Sequence, residues 1–181
     1  MIRTRDYLAP QNANFLNLFT SNWIANRIGV VAAEIQPIEL FLNGASSGIH
    51  LKRSTLDEIF LRRKGYMPVN IYKGEQYNAE QLVDISISLF NNPSLWKKTA
   101  IWNQYPENDH SDLERLIALS RAAENSALKF RELNDLVPLD QWALFSAFQV
   151  LVQSLHNDGI HNMRLISDPW KGQFAPVAYD T

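Results

Sequence analysis

The chain has 181 residues, 46% of them hydrophobic and 20% charged, the size and balance of one ordinary globular domain with room for a sizeable core. A net charge of −2 gives no case for general nucleic-acid binding, which normally needs a basic patch, and the absence of cysteine excludes disulfide frameworks, thiolate zinc sites and cysteine nucleophiles. The opening Met1-Ile-Arg-Thr-Arg-Asp-Tyr-Leu stretch lacks the apolar segment of a signal peptide, and no apolar run approaches the roughly 20 residues of a membrane span.

In chain order, Arg3 and Arg5 read as a solvated basic turn ahead of a helix over residues 11–28. That helix places Phe15, Leu16, Phe19, Trp23, Ile24 and Ile28 at helical spacing, with Asn12 or Asn14 as its cap and Gly29 closing it. Residues 38–42 alternate and end at Asn43-Gly44, and Gly48 opens a second run over 49–53. This predicts a hairpin with a loop longer than two residues. Ser54-Thr-Leu-Asp57-Glu58 reads as a capping box, and the helix it opens ends in Arg62-Arg63-Lys64-Gly65, a basic run suited to the negative helix end. A short strand, Val69-Asn-Ile71-Tyr-Lys73, stops at Gly74. Lys73 is a candidate phosphate ligand, although a surface lysine is the default at such a position.

The second half predicts helices over 79–90, from Leu113 through Ile117, through Ala127 to Leu133, and over 142–152 after Pro138-Leu-Asp140, while Trp96 and Trp102 flank a polar turn. The last helix is apolar on most sides and is expected to be central and buried. Strands over 163–166 and 174–179 surround a turn at Ser167-Asp-Pro-Trp-Lys-Gly172. The fold class is therefore α+β, with small antiparallel hairpins packed against a mainly helical half, expected as one domain over 1–181.

His156, Asp158, His161, Asn162 and, beyond the hairpin, Asp180 crowd polar groups into an apolar C-terminal stretch. Such groups are costly to bury unpaired, so they point to a hydrogen-bonded turn or to a metal and proton-transfer site. The phosphate, dinucleotide, zincin and serine-hydrolase signatures are all missing. An aspartate on a post-helical loop, an amide four residues on and a later aspartate suit phosphoryl transfer. The first orients or accepts the hydroxyl proton, and the other two hold Mg²⁺ through hard oxygens. The Asp158-to-Asn162 spacing is one residue shorter than in the protein-kinase H-R-D-x-x-x-x-N loop, and Thr181 follows Asp180 where a kinase has Phe. A zinc hydrolase site built on His156, Asp158 and His161 is disfavoured, because histidines five apart leave a common helix face.

An ordered series of matches resembles the spore coat protein CotH family of atypical, kinase-like enzymes. Residues 17–29 resemble its "RN…A…G" helix, and Ile38 through Leu51 its "v-x-l-f-x-N-G-x-x-x-G-x-Y-x-L" hairpin. Ile71-Tyr72-Lys73-Gly74 resembles "l-Y-K-g", Leu155 to Asn162 the "D-x-x-x-H-N" loop, and Pro176-Val-Ala-Tyr-Asp180 the "i-P-W-D" segment. The resemblance implies a protein-kinase-like, two-lobed fold and ATP- and Mg-dependent phosphorylation of Ser/Thr on protein partners. By position it makes Asp158 catalytic, puts Asn162 and Asp180 at the metal and Lys73 at the nucleotide phosphates, and leaves His161 bracing the loop.

Departures accompany the matches. Ser54 stands where the family usually carries a glutamate, and Tyr179 stands in place of Trp. An N-terminal β segment with its lysine and a continuation beyond the second aspartate are expected to be missing. The alternative reading is therefore a catalytically inactive pseudokinase or scaffold domain that binds protein partners. The cytoplasm and the spore or cell surface are both compatible locations.

Overall fold

The computed structural model describes residues 7–8, 15–75, 88–100, 109–154 and 157–180. They form a mixed α+β structure with two antiparallel sheets. The elements are β1 (Tyr7–Leu8), α1 (Phe15–Ile28), β2 (Ile35–Leu42), β3 (Ala45–Arg53), α2 (Glu58–Arg63), β4 (Asn70–Gly74), β5 (Trp96–Ala100), α3 (Ser111–Ala123), α4 (Ala127–Leu136), α5 (Leu139–Leu151), β6 (Met163–Asp168) and β7 (Gln173–Pro176). One sheet runs β1-β3-β2 and the other β5-β4-β6-β7. The expected cap at Asn12 or Asn14, Arg3 and Arg5, residues 79–87, Trp102 and His156 lie outside the described residues. Of the helix predicted over 79–90, Leu89 and Phe90 fall in a 3-10 turn, Leu89–Asn91.

The β2–β3 hairpin is tighter than its sequence suggested. Asn43 (φ 51°) and Gly44 (φ 83°) both take the left-handed conformation, and Leu42 pairs directly with Ala45, so the loop is two residues long. Gly48 (φ 82°) marks the place where β3 spends one residue more than β2, between the pairs Glu39↔Ile49 and Phe41↔Ser46. Ser54 is not the helix cap. Asp57 caps α2 by accepting from the Phe60 amide at 3.0 Å, while the Ser54 hydroxyl accepts from the Glu34 amide at 2.8 Å.

The element buried on all sides is β6, not α5. Every residue of Met163–Asp168 is buried, because β6 sits inside its sheet and both faces of that sheet are covered. Tyr72, Leu165 and Phe174 face the helical layer with Leu113, Leu116, Phe145 and Phe148. Ile71, Ile166 and Ala175 face α2 and its approach through Leu56, Phe60 and Leu61. The expectation of a central α5 fails. It buries only Phe145 and Phe148, and Val150 is 79% exposed. α1 likewise turns Leu18, Ser21, Asn22 and Ala25 inward and leaves Leu16 and Trp23 in solvent. The C-terminal strands also differ in extent from the prediction: β6 continues to Asp168 and β7 stops at Pro176. No helix among the described residues is long and apolar enough to cross a membrane.

Candidate functional site

The loop between α5 and β6 is held by main-chain and amide contacts. Gln149, in the last turns of α5, donates to the Asn157 carbonyl at 3.0 Å and to its side-chain oxygen at 2.9 Å. The Asn157 amide then donates to the Asn162 carbonyl at 2.8 Å. The Leu89 amide donates to the Gly159 carbonyl at 2.8 Å, pinning the loop from the side of the 3-10 turn. Asn157 is buried, and the sequence reading passed over it for its more reactive neighbour.

Asp158 closes the turn on itself. Its Oδ1 accepts from the amides of Ile160 and His161, both at 2.7 Å, and the His161 ring lies 3.4 Å from Oδ2. Partial burial pushes the carboxyl up, but the two amides and the His161 ring outweigh it and hold Asp158 below its ordinary value. Such a carboxylate stays ionised and is a weak base, better at orienting a hydroxyl than at removing its proton early. His161 braces the loop.

Asn162 and Asp180 meet. The Asn162 amide donates to Asp180 Oδ2 at 3.1 Å across 18 residues of chain. Both sit in the left-handed region, at φ 52° and 57°, a conformation that asparagine and aspartate tolerate better than most residues. The main chain delivers Asp180 by two anchors: the Val177 amide donates to the Arg164 carbonyl at 2.9 Å and the Ala178 amide to the Val31 carbonyl at 2.7 Å. Among the described residues no hydrogen bond joins Asp158 to Asn162 or Asp180, and both carboxylates are exposed.

Lys73 lies at the same end of the sheet. It pairs with Arg164 across β4 and β6, two residues beyond Asn162, and its ammonium is 3.7 Å from Glu75. Cross-strand partners share a face. Arg164 lies over the Tyr179 ring at 4.2 Å, and Arg53, from the end of β3, lies over the same ring at 4.7 Å. Sequence reasoning missed both arginines. A lone arginine in a strand signals nothing by itself, and only the meeting of β3 with the segment after β7 brings the two together.

The donor set suits a hard cation. With the Asn162 amide nitrogen turned to Asp180, its Oδ1 and the Asp180 carboxylate offer oxygens at the end of the sheet where the Lys73 strand position lies. Mg²⁺ asks for one or two carboxylates and fills its remaining positions from water and phosphate. The described residues hold no group of three or more His, Asp or Glu that could chelate a metal unaided. Among the described residues two cavities lie away from these side chains. One of about 330 Å³, lined by Lys98, Asp109, Asp112, Arg115 and Ser167 among others, opens near the far end of β6. Another of about 330 Å³ lies between α1 and α2, with Asn26, Lys64 and Lys171 in its wall.

No curated protein matches the chain. The family model described as CotH kinase protein matches residues 15–181, a span that takes in the β2–β3 hairpin, Lys73, the Asp158 loop and Asp180, and the chain belongs to that family.

Proposed function

We propose that this chain carries an ATP- and Mg²⁺-dependent phosphotransferase core that phosphorylates Ser or Thr on protein partners, in a protein-kinase-like, two-lobed arrangement. The observation that carries the reading is the Asn162–Asp180 contact. Two oxygen-bearing side chains 18 residues apart are brought within hydrogen-bond distance, each at a left-handed backbone position that costs free energy to hold.

In this reading Asn162 and Asp180 would hold Mg²⁺, which would supply positive charge against the nucleotide phosphates. Lys73 contributes positive charge toward those phosphates from the neighbouring strand. Asp158, ionised and fixed by the Ile160 and His161 amides, orients the acceptor hydroxyl and takes its proton as transfer completes. Positioning and electrostatics carry most of such a reaction, so a rigid loop matters more than a strong base. The test is transfer of radiolabelled γ-phosphate to the chain itself or to a Ser/Thr-containing acceptor polypeptide. Mg²⁺-dependent incorporation that disappears in Asp158→Ala and Asp180→Ala is the expected result. Undiminished incorporation in either variant refutes the assignment of that residue.

A second reading, a non-catalytic binding domain, is favoured by one contact. Ser54, at the family's glutamate position, is engaged with the Glu34 amide and offers no charge to a metal or a lysine. It predicts a folded protein whose melting temperature does not move with Mg²⁺ and ATP, whereas a ligand at a hundred times its Kd stabilises by about 2.7 kcal/mol.

A further inference from the structure

Asp180 is exposed and adopts φ 57°, so something other than its own packing must fix its direction. The main-chain anchors stop at Ala178. Between them and Asp180 stands one residue, Tyr179, and its ring is held by two arginines. Arg53 donates to the Tyr179 hydroxyl at 3.2 Å while its guanidinium lies 4.7 Å from the ring centre. Arg164 lies 4.2 Å from that centre, is 4% exposed and is tied to the Met163 carbonyl at 3.0 Å. A guanidinium over an aromatic face is attracted by the ring quadrupole, and the attraction strengthens when the cation is desolvated. Among the described residues Arg53 has no ion-pair partner, so the ring and its hydroxyl are what hold its head.

We propose that Tyr179, gripped by Arg53 and Arg164, is the positioning residue for Asp180. The grip fixes the backbone so that the Asp180 carboxylate meets the Asn162 amide. It also ties the site to the three-stranded sheet, because Arg53 ends β3 while Arg164 belongs to β6. A shift of the β2–β3 hairpin is therefore felt at Asp180. Arg53, Arg164 and Tyr179 contact no reacting atom in this scheme and act through Asp180. The consequence for metal binding rests on the function proposed above. The effect on the Asn162–Asp180 contact does not.

The experiment uses the 181-residue chain, labelled with nitrogen-15. The side-chain amide resonances of Asn162 are identified by their loss in Asn162→Ala, and their displacement in Asp180→Asn sets the scale for a broken contact. Tyr179→Leu and Arg53→Gln are expected to move these resonances most of the way to the Asp180→Asn position while the backbone spectrum elsewhere stays put. Arg53→Lys, which keeps the charge but not the planar stack, is expected to move them part of the way. In parallel, Mn²⁺ binding in the presence of ATP, followed by electron paramagnetic resonance, is expected to weaken about 10- to 100-fold in Tyr179→Leu and Arg53→Gln, the usual effect of removing a support behind a metal ligand. Unmoved Asn162 resonances in Arg53→Gln and Tyr179→Leu overturn the proposal. If Tyr179→Leu does not fold, the half-buried Arg53 decides alone. A wild-type chain that binds no Mn²⁺ with ATP sinks the phosphotransferase reading, and the Asn162 resonances still decide the role of Tyr179.

Discussion

Asn157→Asp tests how the catalytic-loop candidate is held, because it swaps one donor for an acceptor at constant shape. The native amide donates to the Asn162 carbonyl at 2.8 Å and accepts from Gln149 at 2.9 Å, at a position 6% exposed. Asn157→Ala removes both bonds, at about 0.5–1.5 kcal/mol each, and so costs roughly 1–3 kcal/mol. Asn157→Asp keeps the Gln149 bond but sets a carboxylate oxygen against the Asn162 carbonyl. The lost bond of about 1 kcal/mol and an unsatisfied buried acceptor of about 1–3 kcal/mol bring the cost to roughly 2–4 kcal/mol at neutral pH. The introduced carboxyl titrates higher in the folded state than its unfolded value of about 3.9, since burial and the facing carbonyl both disfavour the charge. Its favourable contribution is then fully present below about 3.9 and is lost as pH rises through the folded value. Below that range the protonated oxygen donates to Asn162 as the amide did. Urea unfolding of the wild type, Asn157→Ala and Asn157→Asp at neutral and acid pH reads this directly. If Asn157→Asp is no less stable than Asn157→Ala at neutral pH, or if the gap does not narrow on acidification, Asn157 is not the donor that holds Asn162.

Four further outcomes follow from the structure. Asp158 should titrate below about 3.9 by carbon-13 NMR; its stabilising contribution is present above the unfolded value and is lost as pH falls through the folded one. His161→Ala should raise that midpoint without restoring it, because the Ile160 and His161 amides remain. Gly74→Ala should cost about 1–3 kcal/mol in denaturant unfolding, since a Cβ there would sit 2.9 Å from Leu89 Cδ1 and from the Trp96 ring, both fully buried. Unchanged stability would mean that the two side chains can yield. Val150→Lys should stay within about 0.5 kcal/mol of wild type while Phe148→Ala costs about 3–5 kcal/mol, and a large penalty at Val150 would show its face of α5 to be covered.

The elements themselves were legible where local chemistry dictates them. Asn43-Gly44 supplies the two positive-φ residues a tight hairpin needs, and the Ile71-Tyr72-Lys73 alternation marks a strand. Which face each helix buries was not legible, because α1 and α5 carry apolar residues on more than one stripe. α1 packs through Leu18, Ser21, Asn22 and Ala25. Burying its polar pair costs little, since Ser21 and Asn22 both donate to the Leu18 carbonyl, at 3.2 and 2.9 Å. Periodicity cannot see that internal satisfaction, so it ranks Trp23 above Asn22 as a core residue and misorients the helix. β6 hides for the opposite reason. Arg164, Ser167 and Asp168 break its apolar run, yet each is buried with partners: Ser167, for one, donates to Asp112, which also accepts from the Tyr72 hydroxyl.

The candidate site divides along the same line. Asp158 and Asn162 lie within one turn, so their association needs no knowledge of the fold, and a post-helical loop is where such residues are expected to serve. Asp180 enters only because β6 and β7 form a hairpin whose register returns the chain to the start of β6, with Val177 donating to Arg164. Tyr179 and its two arginines are one step further removed. Arg53 precedes Tyr179 by 126 residues, and its value depends on β3 ending where the segment after β7 passes. Groups of the kind proposed to perform chemistry are thus recognisable by type and spacing, whereas groups proposed to aim them are ordinary residues whose weight comes from position. If Arg53→Gln disturbs Asn162 and a neighbouring surface change such as Lys52→Gln does not, the distinction is physical. The hairpin then belongs to the site even though no atom of it reaches Asn162 or Asp180.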